Sequence, residues 1–288
     1  MKPKLGIVGY GFVGKAIEVG FKDYTEILIC DPKYLEINKQ ISLLVANCEF
    51  IFIAVPTPYI ISENKQDDSI LNKCLNEIDD HSNFQEKVQT VIIKSAILAT
   101  NVNKYIKKYT NLNIVISPEY LTERTYLHDF VNQECMILGG NKKICQQITE
   151  FYKNYSICNN KVKIGYCSAV EAAFLKYVEN NFLALKVIFL NQMKDIYDKL
   201  PINHNYNKFL KNHHLDTRIG VFNFDYTVPG PDGDYGFGGK CLPKDVLSLI
   251  TESKKLGISS ELMSKVWSLN LKYRKNKNWE TIEGAVKK

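Results

Sequence analysis

Short apolar runs alternate with helix-like segments over residues 4 to 165, and this alternation restricts the fold more than any other feature of the sequence. Each run has the length and continuous hydrophobicity of a strand that is buried on both faces. The runs are KLGIVGYG, EILICD, EFIFIAVP, VQTVIIKS and NIVISPE. Strands of this kind, separated by helices, build a doubly wound parallel sheet. We therefore predict an N-terminal α/β domain over residues 1–165.

The pattern changes at Ser168, where one long apolar segment begins and continues to Pro201. Ser168 and Glu171 have the spacing of a capping box, which predicts the start of a helix. A helix that is apolar almost all round must be buried by a second domain or a second subunit. The remaining chain is mostly helical in pattern. We predict an all-α second domain over residues 166–288 and a homodimer formed through helix 168–199.

Composition and charge narrow the class of protein. Hydrophobic residues make up 45% of the chain and charged residues 24%, which is typical of a globular protein. No apolar run reaches the ~18 residues of a membrane span, and the N-terminus leads into a strand pattern without a cleavable signal. The net charge of +6 suits an anionic small ligand, but the basic residues are too dispersed for a nucleic-acid site. We expect a cytoplasmic protein with no nucleic-acid or membrane partner.

The eight cysteines are scattered, and neither a CxxC motif nor a Cys/His cluster has the spacing of a zinc site. The adjacent pair His213 and His214 also lacks further ligands, because neighbouring residues on a helix point apart. We expect reduced thiols, most of which fill the core, and no bound metal.

A glycine-rich turn, Gly9-Tyr10-Gly11-Phe12-Val13-Gly14, follows the first apolar run and precedes a helix pattern. Its glycines permit a tight turn and let backbone N–H groups approach a pyrophosphate at the helix N-terminus. The second run ends in Asp31, about 20 residues further on, where a carboxylate binds a ribose 2′-hydroxyl and would repel a 2′-phosphate. The combination predicts a Rossmann-type domain that binds NAD; the alternative is a glycine turn of an unrelated α/β protein.

Two pairs of polar residues occupy positions that favour chemistry. Lys176 and Asn180 are four apart on the long helix, so both project from one face. The lysine either handles a substrate hydroxyl or extends to water, and the pair alone does not decide between the two. Glu119 and Glu123 follow the fifth strand, at the edge where open α/β sheets bind ligands. Glutamates are also common in the first turn of a helix, but the position on the sheet favours a function.

The stretch GFGGKCLPKD, residues 236 to 245, sets Cys241 after a glycine run and before a proline that suits the first turn of a helix. A thiol at a helix N-terminus with Lys240 and Lys244 nearby is favoured as the thiolate. Asp245 returns to the same side of that helix and is placed to orient a lysine or a water. A cysteine here is otherwise core filler, but the glycine run argues against a packed core position.

Together these motifs resemble the UDP-glucose/GDP-mannose dehydrogenase family, the nucleotide-sugar 6-dehydrogenases, and most closely its UDP-glucose 6-dehydrogenases. GYGFVG, VPTP, SPEYLTE, the helix of Lys176 and Asn180, and FGGKCLPKD occur in the family's order, over essentially the whole chain. The resemblance implies NAD-dependent four-electron oxidation of the C6 hydroxyl of a nucleotide sugar, with UDP-glucose the leading candidate, through a thiohemiacetal and a thioester. It also implies a place in polysaccharide biosynthesis.

The resemblance further implies a role for each site residue. The catalytic set is Cys241 as nucleophile, Lys176, Asn180 and Asp245 on the substrate hydroxyl and an ordered water, and Glu119 as base for thioester hydrolysis. The cofactor set adds Pro56, Thr57, Ser95 and Glu123 to the glycine turn and Asp31. The substrate set is Arg218, Phe237 and Gly238.

Three features depart from the family pattern. Ala96 stands where a threonine is usual, Lys240 stands where a serine often precedes the cysteine, and the helical region is not followed by the C-terminal nucleotide-binding domain of many members. One alternative is a two-electron β-hydroxyacid dehydrogenase, which shares the Lys-x-x-x-Asn pair but needs no thiol. The other is a catalytically idle NAD-binding relative, which Ala96 and the missing third domain leave open.

Overall fold

The computed structural model describes residues 2–158, 162–201, 205–220 and 226–287, apart from the side chain of Arg218. The chain divides into two compact units. The first unit is Met1–Thr57 with Asp67–Lys176, and the second is Pro58–Gln66 with Tyr177–Lys288. The predicted domain boundary between residues 165 and 166 stays a prediction.

Ten strands and ten helices lie within the described residues. The strands are β1 Lys4–Val8, β2 Glu26–Cys30, β3 Phe50–Ile53, β4 Tyr59–Ile60, β5 Lys65–Gln66, β6 Gln89–Ile93, β7 Leu112–Ile116, β8 Cys135–Gly139, β9 Lys163–Cys167 and β10 Val286–Lys287. The helices are α1 Phe12–Phe21, α2 Ile41–Asn47, α3 Ser69–Phe84, α4 Ala99–Lys108, α5 Tyr126–Val131, α6 Lys142–Tyr155, α7 Ala169–Tyr197, α8 Tyr206–His213, α9 Leu242–Lys255 and α10 Glu261–Tyr273. Short 3₁₀ turns lie at Thr217–Ile219 and Asn278–Glu280.

The first unit contains a seven-stranded sheet in the order β2-β1-β3-β6-β7-β8-β9. Its first five strands are parallel and coincide with the five predicted apolar runs; every residue of β3 and β6 is buried. Apolar clusters cover both faces, with α1, α5 and α6 on one and α2, α3, α4 and the start of α7 on the other. The predicted doubly wound α/β sheet is confirmed.

Two strands at one edge of this sheet differ from the predicted parallel arrangement. β8 pairs antiparallel with β7, and β9 is parallel to β8. The connection from β7 to β8 holds only the short helix α5, which packs beside α1 with Phe130 against Gly20 and Phe21. Because α5 does not carry the chain back across the sheet, β8 enters in the opposite direction.

Helix α7 is a single helix of 29 residues, roughly 44 Å long at 1.5 Å per residue. The capping box is confirmed: the Ser168 N–H donates to the Glu171 carboxylate at 2.8 Å, and the Glu171 N–H donates to Ser168 Oγ at 3.2 Å. The helix ends a few residues before Pro201, as expected. Its apolar residues are not all buried, since Phe182 is 60% exposed. None of the described helices has the length and apolar character needed to cross a membrane.

The second unit is built on the later part of α7, with α8, α9 and α10, so the predicted helical second region is confirmed. Ala184, Val187 and Ile188 of α7 enter its core. A small sheet in the order β10-β4-β5 adds to the helices, and Tyr59 of β4 packs with Trp279 beside it. Strands of two residues have no visible period in a sequence, which is why the pattern indicated helices alone.

Candidate active site

The glycine turn between β1 and α1 is held tightly by backbone atoms. Gly9 has a φ of +91°, and a Cβ there would lie 2.6 Å from the carbonyl oxygen of Ala54. A Cβ on Gly14 would lie 2.2 Å from the carbonyl oxygen of Gly9. Gly11, the N-cap of α1, is different, because no atom other than those of the glycine and its chain neighbours lies within 4 Å of the position of its Cβ. The turn therefore leaves room beside the first N–H groups of α1, at Phe12 and Val13, which fits a pyrophosphate.

Asp31 lies at the end of β2, beside the glycine turn as predicted. Its Oδ2 accepts the Tyr10 N–H at 2.6 Å, and its Oδ1 accepts the Lys33 N–H at 2.9 Å. These bonds fix the plane of the carboxylate. A carboxylate has about four lone-pair positions, so two remain for the hydroxyls of a ribose.

The loops after β3 and β6 are joined by two hydroxyl groups. Thr57 Oγ1 donates to the carbonyl oxygen of Ala96, and Ser95 Oγ donates to the carbonyl oxygen of Val55, both at 2.7 Å. Pro56, between the two contacts, is half-buried. The structure thus brings Pro56, Thr57 and Ser95 together at the carboxyl edge of the parallel strands, where cofactors bind in sheets of this kind.

Glu119 lies in the loop that follows β7, and Lys176 of α7 contacts it there. Glu119 is buried, and its Oε1 accepts the Leu121 N–H at 2.7 Å. Lys176 Nζ donates to the main-chain carbonyl of Glu119 and lies 5.3 Å from the centre of the Tyr120 ring. Glu123 is exposed in the turn before α5, so neither glutamate is in the first turn of a helix. The helix-dipole explanation of these residues therefore does not apply.

In the second unit, Asp245 is the centre of a buried polar cluster. Its side chain is only 1% exposed. Its Oδ2 accepts a hydrogen bond from Asn180 Nδ2, and its Oδ1 accepts one from Lys244 Nζ, each at 2.5 Å. Asn181 Nδ2 donates to the Asp245 main-chain carbonyl at 3.3 Å. Lys244 was expected to act on the thiol, but it is committed to this buried ion pair. Removal of either charge would leave the other buried and unpaired.

Cys241 is the N-cap residue of α9, and its carbonyl accepts the Asp245 N–H at 3.1 Å. Its side chain is half-buried, and none of the eight cysteines, all of which lie in the described ranges, forms a disulfide. Burial raises the pKa of Cys48 to about 12 and those of Cys74 and Cys145 to about 11. Cys48 and Cys145 are core residues and Cys74 packs against the core, whereas Cys241 stands at a helix start behind a glycine run.

Three asparagines that the sequence analysis missed hold the glycine run in place. Asn270 uses both ends of its amide: Oδ1 accepts the Phe237 N–H at 2.7 Å, and Nδ2 donates to the Phe237 carbonyl at 3.0 Å. Asn191 Oδ1 accepts the Gly236 N–H at 3.2 Å, and Asn278 Oδ1 accepts the Gly239 N–H at 3.0 Å. The one sequence signal was a polar amide inside an apolar helix pattern, as in VWSLNLKY around Asn270.

The residues predicted to contact the substrate fall into three situations. The Phe237 side chain is 3% exposed and belongs to the core of the second unit. Gly238 is tightly surrounded, because a Cβ there would lie 2.5 Å from Asn278 Oδ1 and 2.6 Å from Nη2 of the buried Arg274. The side chain of Arg218 lies outside the described residues. A ligand at this loop would therefore meet the glycine backbone rather than the Phe237 ring.

Comparison with known proteins identifies one family over most of the chain. Residues 17–156 match the NAD binding domain of the UDP-glucose/GDP-mannose dehydrogenase family, and residues 170–272 match its central domain. The UDP-glucose 6-dehydrogenase of Rickettsia felis is 32% identical over 208 residues, which cover 70% of this chain and 43% of that protein. The corresponding enzyme of Campylobacter jejuni is 31% identical over 280 residues, covering 86% and 67%.

A solved structure agrees at the level of the fold. The UDP-glucose dehydrogenase of the hyperthermophilic archaeon Pyrobaculum islandicum superposes with a TM-score of 0.80 at 20% identity, covering 94% of this chain and 68% of that chain. The chain spans less than half the length of its Rickettsia felis relative. Because both domain matches and the identity to the Campylobacter jejuni enzyme extend over most of the sequence, the chain belongs to the UDP-glucose/GDP-mannose dehydrogenase family.

Proposed function

We propose that the protein oxidises the C6 hydroxyl of a nucleotide sugar to a carboxylate in two NAD-dependent steps, with UDP-glucose as the first candidate substrate. The observation that carries this proposal is Cys241 at the N-cap of α9, at the end of a glycine run that three asparagines hold. A two-electron dehydrogenase has no use for a thiol at that position.

The cofactor would be held by residues of the first unit. The N–H groups at the start of α1 would bind the pyrophosphate, and the Asp31 carboxylate would accept hydroxyls of a ribose. Pro56, Thr57, Ser95 and Glu123 complete the proposed set. When bound, NAD supplies the acceptor for the hydride that leaves C6 in each oxidation.

Lys176 and Asn180 would act on the substrate oxygen in the first oxidation. Loss of a hydride from C6 requires the hydroxyl proton to leave and negative charge to develop on O6. An ammonium fixed on the main-chain carbonyl of Glu119 is suited to stabilise that charge. Asn180, whose amide is oriented by the Asp245 carboxylate, would supply a further N–H donor.

Cys241 would act in the second oxidation. The thiolate adds to the aldehyde carbon, which forms a C–S bond and gives a thiohemiacetal after O6 takes up a proton. Loss of that proton and of the second hydride gives the thioester. Glu119 would take a proton from the attacking water, the C–S bond breaks, and the uronate leaves with the thiolate restored. One water is consumed and two hydrides are released for each sugar.

The first experiment is the yield of NADH per molecule of UDP-glucose, with GDP-mannose and UDP-N-acetylhexosamines run in parallel. We expect two NADH per sugar for the true substrate, and no uronate from Cys241→Ser, which should still bind NAD. One NADH per sugar, or full turnover by Cys241→Ser, would remove the thiol from the mechanism. No turnover with any sugar nucleotide despite NAD binding would favour an idle relative.

We propose that α7 forms a homodimer and that the protein works in the cytoplasm, where its eight reduced thiols would be stable. Five apolar side chains of α7 are between 45% and 60% exposed and follow a helical spacing: Phe174, Val178, Phe182, Phe189 and Ile196. Such a stripe on a second copy of the chain is self-complementary.

The dimer is tested by sedimentation at micromolar concentration. We expect a dimer for the parent protein and a monomer for Phe182→Lys, which sets a charge in the middle of the stripe. Phe84→Lys is the matched control, because Phe84 is 87% exposed at the end of α3. A monomeric parent protein would reject the dimer.

A further inference from the structure

Arg274, the C-cap residue of α10, is a buried arginine within the basic run KYRKNKN at residues 272–278. Lys272, Lys275 and Lys277 of this run are exposed, whereas the Arg274 side chain is only 3% exposed. A guanidinium keeps its charge inside a protein, so its burial is costly unless carboxylates and carbonyls surround it. The fold therefore holds this arginine inside by specific contacts.

The guanidinium joins two segments of the second unit. Arg274 Nη2 donates to Asp232 Oδ2, and Nε lies 3.6 Å from Asp234 Oδ2. Nε also donates to the carbonyl of Asn276 at 2.8 Å, and the Asn276 N–H donates to Asp234 Oδ2 at 2.8 Å. Because these contacts share one planar group, they tie the loop at residues 232–234 to the turn that follows α10.

The same side chain lies against the glycine run at residues 236–239. A Cβ on Gly238 would lie 2.6 Å from Nη2 and 2.9 Å from Cζ of Arg274, and a Cβ on Gly236 would lie 3.1 Å from Arg274 Cβ. These two glycines leave the room that the arginine occupies. Gly239 differs, since no described atom beyond its chain neighbours lies within 4 Å of its Cβ position.

Helix α10 thus presents two side chains to the run, one turn apart. Asn270 binds the N–H and the carbonyl of Phe237, and Arg274, four residues further on, lies against Gly238. The planar guanidinium is fixed at two points, by a carboxylate and by a carbonyl. A lysine could not make both contacts, because its ammonium is a single point charge on a flexible stem.

We propose that Arg274 is a positioning residue for the sugar nucleotide: its guanidinium holds the peptide groups of the glycine run in the geometry that the bound substrate requires. The link to the substrate rests on the proposed function, whereas the support of the run by the guanidinium does not. A displaced run would weaken binding of the sugar nucleotide and leave NAD binding by the first unit unchanged.

The support is tested without turnover by hydrogen exchange, measured by mass spectrometry on peptides that contain residues 236–241. Arg274→Met keeps an unbranched apolar stem but removes the guanidinium. We expect the N–H groups of this segment to exchange about tenfold faster in the variant, because local opening becomes easier. Exchange over residues 184–190 of α7, in the core of the same unit, should stay as in the parent. A merely structural role would speed exchange in both segments.

Lys275→Met is the matched control. Lys275 follows Arg274 in sequence and is exposed, so the substitution removes the same charge without touching the run. We expect exchange at residues 236–241 to match that of the parent. If Arg274→Met does not fold, Arg274→Lys keeps the charge beside Asp232 but lacks the planar fork, and a smaller local increase is expected.

Steady-state kinetics measure the effect on the substrate, with UDP-glucose as the first sugar nucleotide used. In Arg274→Met we expect KM for the sugar nucleotide to rise roughly tenfold, while calorimetric titration gives an unchanged affinity for NAD. Unchanged exchange at residues 236–241 in the folded variant would overturn the proposal. Faster exchange with an unchanged KM would also overturn it, because Arg274 would then serve stability alone. A parent protein that oxidises no sugar nucleotide would reject the proposed function, while faster exchange confined to residues 236–241 would still show that the guanidinium holds the run.

Discussion

Two glycine-rich segments precede helices in this protein, and they are held by different means. The turn at Gly9–Gly14 is fixed by backbone atoms of neighbouring strands: the Gly9 N–H donates to the Cys30 carbonyl at 2.9 Å, and a Cβ on Gly9 would strike Ala54. The run at residues 236–239 is fixed by side chains, the amides of Asn191, Asn270 and Asn278. The sheet shapes the first segment, while three residues far along the chain shape the second.

The largest loss of stability is expected where a new Cβ would meet main-chain atoms, which cannot rotate away as a side chain can. In Gly14→Ala the new Cβ would lie 2.2 Å from the Gly9 carbonyl oxygen, which cannot move without shifting β1. We expect a loss of about 3 kcal/mol in the free energy of unfolding, at the upper end for overpacking, and the loss of measurable NAD binding. Thermal unfolding and calorimetric titration with NAD measure the two quantities.

Gly11→Ala is the control for this prediction, because open space surrounds that Cβ position. It should fold as stably as the parent, within about 0.5 kcal/mol, and weaken NAD binding alone. Equal stability of the Gly14→Ala and Gly11→Ala variants would show that backbone packing does not hold the turn.

A smaller effect is expected from removing a side chain that supports the glycine run at residues 236–239. Asn270→Leu leaves the N–H and carbonyl of Phe237 buried without their partners. Each unpaired group costs about 1–3 kcal/mol, and a water that reaches it reduces this cost. Turnover should fall roughly tenfold to a hundredfold, about 1.4–2.7 kcal/mol in the barrier, while NAD affinity stays constant. Steady-state rates and NAD titration measure this, with Asn212→Leu, an exposed position on α8, as the neutral control. Weakened NAD binding in Asn270→Leu would contradict the proposal that the first unit alone holds NAD.

Gly238→Ala sharpens the comparison, since it places a Cβ against side-chain ends rather than backbone. Asn278 Oδ1 and the Arg274 guanidinium would lie 2.5 Å and 2.6 Å from that Cβ, so both side-chain ends must move to admit it. We expect a loss of about 1 kcal/mol, at the lower end for overpacking, and a rise in KM for the sugar nucleotide. If Gly238→Ala destabilises as much as Gly14→Ala, the side-chain frame is as rigid as the sheet.

The smallest effect concerns Asp232, which accepts a hydrogen bond from Nη2 of Arg274. Burial raises the pKa of Asp232, but the hydrogen bond and charge of Arg274 bring it below its usual value. The stabilisation is therefore present above the unfolded pKa, near 4, and is lost as the pH falls through the lower folded pKa. Because the Asp232 side chain is 48% exposed, the effect should stay below about 1 kcal/mol.

Asp232→Asn measures this contribution. Thermal unfolding between pH 6 and pH 3 should show the parent losing slightly more stability than the variant. A larger loss of stability in the variant between pH 6 and pH 3 would show that groups other than Asp232 cause the pH dependence.

Much of the first unit followed from the sequence. Five parallel strands, the glycine turn, the position of Asp31 and the capped start of α7 were all predicted and are confirmed, although the edge strand β2 is only partly buried. They share one cause, since each is set by residues that are neighbours in sequence or on adjacent strands. The reversed pair β8 and β9 was missed because a short helix, rather than a property of the strands, decides their direction.

The site was less predictable where distant side chains decide its geometry. Asn270 is 33 residues in sequence from Phe237, and Asn191 is 45 residues from Gly236. No local sequence pattern predicts contacts over such distances. Lys244 was predicted to favour the thiolate because it is close to Cys241 in sequence. In the structure its ammonium forms an ion pair with the buried carboxylate of Asp245.

The distribution of thiols has a practical consequence. Burial keeps the thiols of Cys30, Cys48, Cys74 and Cys145 protonated at neutral pH, and all four belong to the first unit. The second unit has a single cysteine, Cys241. Alkylation followed by mass spectrometry would thus report on the two units separately: label on the buried Cys48 and Cys145 records opening of the first unit, and label on Cys241 records access to the second.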